Sequence, residues 1–146
     1  MTRKRLPNRR AALTFTFEHT YPGSEPRQFS ATVGFYSGGK PAEVFLNSVN
    51  DTDKQVTVDA HDAAVLLSFA LQHGADLVEV SKAVLRAENG VAHGFMGALI
   101  DAAVDAIAKD GPKDWQGSAP AGDDDPPRPN SPAAAEAAPA PAEATQ

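Results

Sequence analysis

Five of the chain's thirteen basic residues crowd into RKRLPNRR, residues 3–10. Arg3, Lys4, Arg5, Arg9 and Arg10 are the side chains best suited to gripping phosphate. Such a cluster binds a nucleic-acid backbone or a nucleotide through sequence-independent contacts that weaken steeply with salt. The stretch also reads as the lead-in to a folded domain. Pro7 and Asn8 favour a turn, after which Arg9 and Arg10 can pair with acidic surface. The whole molecule does not favour polyanions, since net charge is −6 and the pI is about 5.1.

The other candidates for chemistry fail on spacing. Histidines stand at His19, His61, His73 and His93. None has the i, i+4 spacing of a helical zinc site, and no cysteine can join them. His61, Asp62 and Ser68 have the residue types of a hydrolytic triad. On a helix, seven positions separate His61 from Ser68, about 10.5 Å of rise, which is too far for a base to activate a nucleophile. A solvated helix edge is the expectation for His61, Ser68 and Gln72. His73, just before Gly74, suits capping of helix-end carbonyls. GFYSGGK joins two strands and lacks the spacing of a phosphate loop, and NGVAHG lacks the third glycine of a dinucleotide fingerprint. Glu18 and Glu43 read as surface carboxylates on strands. No catalytic residue, metal site or cofactor is assigned to this chain.

These residues need a scaffold, and residues 11–110 supply it. ALTFTFEH alternates, with Leu13, Phe15 and Phe17 on one face and Thr14, Thr16 and Glu18 on the other, as in a half-buried strand. Pro22-Gly23 marks a turn. RQFSATVGFY alternates again, and Phe29, Ala31, Val33 and Phe35 share a face. PAEVFLNSV follows SGGK, with Pro41 at the strand start, where no ladder donor is lost. The apolar face of this meander needs a cover. DAHDAAVLLSFALQHG is apolar nearly all round, which predicts a largely buried helix ended by Gly74. Asp76 and Glu79 mark the start of a second helix, with Leu77, Val80 and Val84 inward. A third helix places Met96, Ile100, Ala103 and Ile107 on one face and stops at Gly111-Pro112. The expected fold is α+β: a three-stranded antiparallel meander covered by three helices.

From Gly111 to residue 146 the composition changes. Eight of the twelve prolines fall here, and six acidic residues face only Lys113 and Arg128. Trp115 is the lone large apolar side chain. Such a segment buries too little surface to offset its ordering entropy, so a disordered acidic Pro/Ala-rich tail is expected. The domain reading is therefore 1–10 lead-in, 11–110 folded domain and 111–146 tail. No apolar run approaches the length of a membrane span, and no apolar stretch directly follows the first basic residues as in a secretory signal. A cytoplasmic location is the expectation.

Several stretches taken in order resemble one family. RLPNRR runs straight into an alternating strand. Then come PAEVFLN, the helix DAAVLLSFALQHGADL, a glycine at Gly94 or Gly97, and LIDAAVDAIA. This order is similar to the TSCPD domain, found at the C-terminal end of vitamin-B12-dependent ribonucleotide reductases and as short free-standing proteins. The resemblance spans about residues 3–109. The Thr-Ser-Cys-Pro-Asp motif that names the family has no match, because this chain has no cysteine. The resemblance implies an accessory or regulatory domain whose partner is a reductase catalytic subunit. Adenosylcobalamin and the radical and reducing thiols would belong to that larger enzyme. Two alternatives stand beside it: a small nucleic-acid- or nucleotide-binding protein that uses the basic segment, and a generic interaction module that pairs with a second copy through its sheet edge.

Overall fold

A computed structural model describes residues 2–49 and 54–113. The three expected strands are β1 (Ala12–His19), β2 (Arg27–Phe35) and β3 (Pro41–Val49), joined in the order β1-β2-β3, each antiparallel to its neighbour. Across the sheet Phe15 faces Ala31 and Ala31 faces Leu46, while Leu13, Val33 and Val44 form the next row. These rows lie on the core side. Thr14, Thr32 and Phe45 form a row on the other side, where the two threonine hydroxyls hydrogen-bond at 2.8 Å.

Three helices follow: α1 (Lys54–Gln72), α2 (Leu77–Ala83) and α3 (Phe95–Asp110). The fold is α+β, as the alternation and the helical periodicities require. Inward residues of α1 are Ala60, Ala64, Leu67 and Leu71, and the two alanines let the helix axis approach the sheet. Helix α1 packs along β3, α3 packs against β1, and α2 packs on α3. The core joins Phe29, Val33 and Phe35 to Leu71, Leu99 and Ile100. Phe29 stacks between Phe17 at 5.3 Å and Phe95 at 5.7 Å between ring centres.

Local signals act where the residue types place them. Gly74 takes φ 99° and ends α1, with its N–H bonded to Leu71 C=O and Ala75 N–H bonded to Ala70 C=O. Asp76 caps α2 by accepting the N–H groups of Val78 and Glu79. Gly111 closes α3 through its N–H to Ile107 C=O.

Two expectations about α1 need correction. The helix begins at Lys54, five residues before the apolar run, since Val56 there also packs on the core. Nor is it buried all round: Val58, Val65, Leu66 and Phe69 are exposed, because a three-stranded sheet covers only one face of a helix. Trp115 and the acidic segment beyond Lys113 lie outside the described residues.

Candidate partner-binding surface

The inner edge of α1 is polar for a reason set by β3. The outer edge of a sheet leaves backbone N–H and C=O groups unpaired. Ser68 Oγ accepts the Val44 N–H at 2.8 Å and lies 3.0 Å from the Val44 C=O and 2.8 Å from the Ala64 C=O. Gln72 Nε2 donates to the Ala42 C=O at 3.1 Å. Ser68 and Gln72 are therefore not a solvated edge. They close the edge of β3, and Gln72 is buried. Of the three residues expected at a solvated edge, His61 alone is exposed, 3.7 Å from Asp62. The triad arrangement is absent here, because Ser68 is committed to backbone.

Gln72 also anchors the basic segment. Its Oε1 accepts Arg3 Nε at 2.5 Å and its C=O accepts the Lys4 N–H at 2.8 Å. Tyr36 Oη donates to the Lys4 C=O at 2.6 Å. The Arg3 guanidinium lies 5.1 Å from the Phe69 ring centre, and Lys4 Nζ lies 4.9 Å from that of Tyr36. Arg10 pairs with Glu43, so Glu43 is not simple surface charge, and Arg10 also donates to the Pro7 C=O at 3.0 Å. Arg5 and Arg9 are exposed. The five basic residues are thus distributed: Arg3 and Lys4 lie at the C-terminal end of α1, and Arg10 lies on the open face of the sheet.

The outer face of α1 is the larger feature. Val58, Val65, Leu66 and Phe69 follow spacings of seven, one and three, which makes one stripe along the helix. Leu66 is 71% exposed. Asp62 and His61 sit within the stripe, and Arg3 marks its end over Phe69. His73 Nδ1 lies 2.8 Å from the Phe69 C=O, the helix-end role expected of it, and its ring leans on Phe69 at 4.5 Å. An apolar helix face with a charged rim offers anchors for a protein groove. Sequence reasoning missed this stripe because it counted apolar residues around the helix without asking how much sheet was available to cover them.

A second concavity lies at the opposite end of β1. Tyr21, Pro22, Val84, Leu85, His93, Met96 and Gly97 line an apolar cleft of about 500 Å³. His19 sits beside it, 7% exposed and edge-on to Tyr21 at 4.5 Å. Burial pushes its pKa below the ordinary histidine value, against the opposing effect of a hydrogen bond to the His93 backbone. Its Nε2 is buried without a hydrogen-bond partner. Strand alternation carries the signal for this burial, since residue 19 shares the face of Leu13, Phe15 and Phe17. Arg86, next to Leu85 in the chain, places both terminal nitrogens on Asp101 at 2.7 and 2.8 Å and makes further bonds to the Ser81 and Gly90 carbonyls.

Among the described residues no group of three or more His, Cys, Asp or Glu side chains is placed to hold a metal ion. No described helix is long and apolar enough to cross a membrane. No protein-family model, no curated protein and no solved structure matches this chain.

Proposed function

We propose that this chain is an accessory domain that carries no reaction of its own and acts by docking on a protein partner through the outer face of α1. The resemblance of its ordered stretches to the TSCPD domain names the partner class: the catalytic subunit of a B12-dependent ribonucleotide reductase, in the cytoplasm. The observation that carries the reading is the exposed stripe of Val58, Val65, Leu66 and Phe69, with Arg3 held over Phe69 by Gln72. A chain without cysteine supplies neither a thiyl radical nor a reducing thiol pair. In this reading cobalamin and thiol chemistry stay with the larger subunit.

The test mixes purified chain with the purified catalytic subunit and measures association by calorimetry. Binding that weakens at least tenfold in Leu66→Lys and Phe69→Lys supports the proposal. Absence of binding overturns it. A labelled oligonucleotide titrated at low salt examines the alternative of phosphate gripping by the basic segment. Oligonucleotide binding lost when Arg5 and Arg9 become alanine, with no subunit binding, would replace the docking reading.

A further inference from the structure

The two edges of the sheet are treated differently. On β3 the outward backbone groups of Ala42 and Val44 are taken by Gln72 and Ser68. On β1 the geometry can be read from one bond: the Phe35 N–H donates to the Ala11 C=O, so residues 11, 13, 15, 17 and 19 turn their backbone groups toward β2. Ala12, Thr14, Thr16 and Glu18 therefore turn theirs outward, and no described residue bonds to them. Its one charge is Glu18, at the end of the strand where Val91, Ala92 and Asp101 flank it, and the rest of the edge carries no device against pairing. Ala12–His19 has no lysine, no proline and no break in its register with β2. Its core-side residues Leu13, Phe15 and Phe17 are only half-buried, whereas their neighbours on β2 are fully buried.

We infer that two copies of this chain pair antiparallel through β1, joining their sheets into one of six strands. The sequence of the strand is complementary to itself about a two-fold axis at Phe15. Thr14 faces Thr16 of the other copy, which extends the Thr14–Thr32 row already hydrogen-bonded within one sheet. Leu13 faces Phe17 of the other copy, so the half-buried rim of each core covers the other. At both ends Ala12 of one copy faces Glu18 of the other, so no like charges meet directly across the axis. A second copy therefore fits on backbone and apolar grounds together. This inference uses β1 and is independent of docking through α1.

Sedimentation equilibrium of the full chain at micromolar concentration tests it. The expected mass is twice 15.3 kDa. Thr16→Pro removes an outward N–H that the monomer does not use, and the Thr14→Lys, Thr16→Lys pair places four like charges at the axis. Both variants are expected to sediment as monomers with an unchanged far-ultraviolet spectrum. If Thr16→Pro unfolds, the lysine pair still decides. A wild-type monomer overturns the inference. So does a dimer that survives the lysine pair but is lost in Leu66→Lys, since that places the contact on α1.

Discussion

Ser68 of α1 takes over the ladder partner that β3 lacks: its Oγ accepts the Val44 N–H at 2.8 Å, as another strand's carbonyl would. A helix side chain here does the work of backbone. Ser68→Ala leaves a polar group of a buried residue without its partner, which costs about 1–3 kcal/mol. Thermal unfolding is expected to show the loss. An unchanged melting temperature would mean that water replaces Oγ at that edge.

Leu66 and Leu67 are adjacent in sequence and opposite in environment, 71% and 6% exposed. Leu67→Asp places an unpaired charge in the core and is expected to prevent folding. Leu66→Asp should leave the unfolding free energy within about 0.5 kcal/mol of wild type. Equal damage from both substitutions would show that Leu66 is buried as Leu67 is.

Glu43 reaches Arg10 by lying across Gly34 of the middle strand. A Cβ at position 34 would stand 2.6 Å from Glu43 Oε1 and 2.8 Å from its Cγ. Gly34→Ala must push the carboxylate aside and break the pair, at a cost of about 1 kcal/mol, in the range of partly exposed ion pairs. In a Glu43→Ala background the same substitution should become neutral or stabilising, because alanine suits a strand better than glycine. A cost that persists in that background would place the conflict in the backbone.

His19 makes the fold sensitive to mild acid. Its native pKa is depressed by burial, so below the ordinary value near 6.5 the unfolded chain binds a proton that the folded chain resists. Stability from this group is present above about pH 6.5 and is lost as pH falls toward the depressed native value. Glu18 and Asp101 line the pocket that His19 also lines. Melting temperature is expected to fall between pH 7 and about pH 5, and His19→Phe should flatten that slope. A slope unchanged in His19→Phe would assign the sensitivity elsewhere.

Much of the fold is legible in the sequence because local rules and tertiary needs agree. Alternation identifies Phe29, Ala31, Val33 and Phe35 as one face, and all four are buried. Asp76 and Gly74 act as the caps their types suggest. The candidate surface was less legible. Val65, Leu66 and Phe69 are as apolar as Leu67 and Leu71, and composition does not say which stripe a sheet of three strands will cover. Ser68 and Gln72 look like solvent-facing residues because polarity is ordinarily exposed. Their burial follows from unpaired backbone on β3, a requirement that exists only after helix and strand are docked. The docking of Arg3 and Lys4 on Gln72 depends on a contact across 69 positions, beyond any local pattern.

The order of elements also sets an order of assembly. Each strand pairs only with the next one in the chain, and α1, the element that follows β3, closes the edge of β3. A chain emerging from the ribosome can therefore complete each strand pair and the closure of β3 as soon as the next element appears, with little loop-closure entropy to overcome. Helix α3, which packs back on β1, and the basic residues ahead of β1 are the exceptions. Arg3 and Lys4 leave the ribosome before the strands but wait for Gln72, so the segment ahead of β1 locks only after the sheet and its first helix are in place.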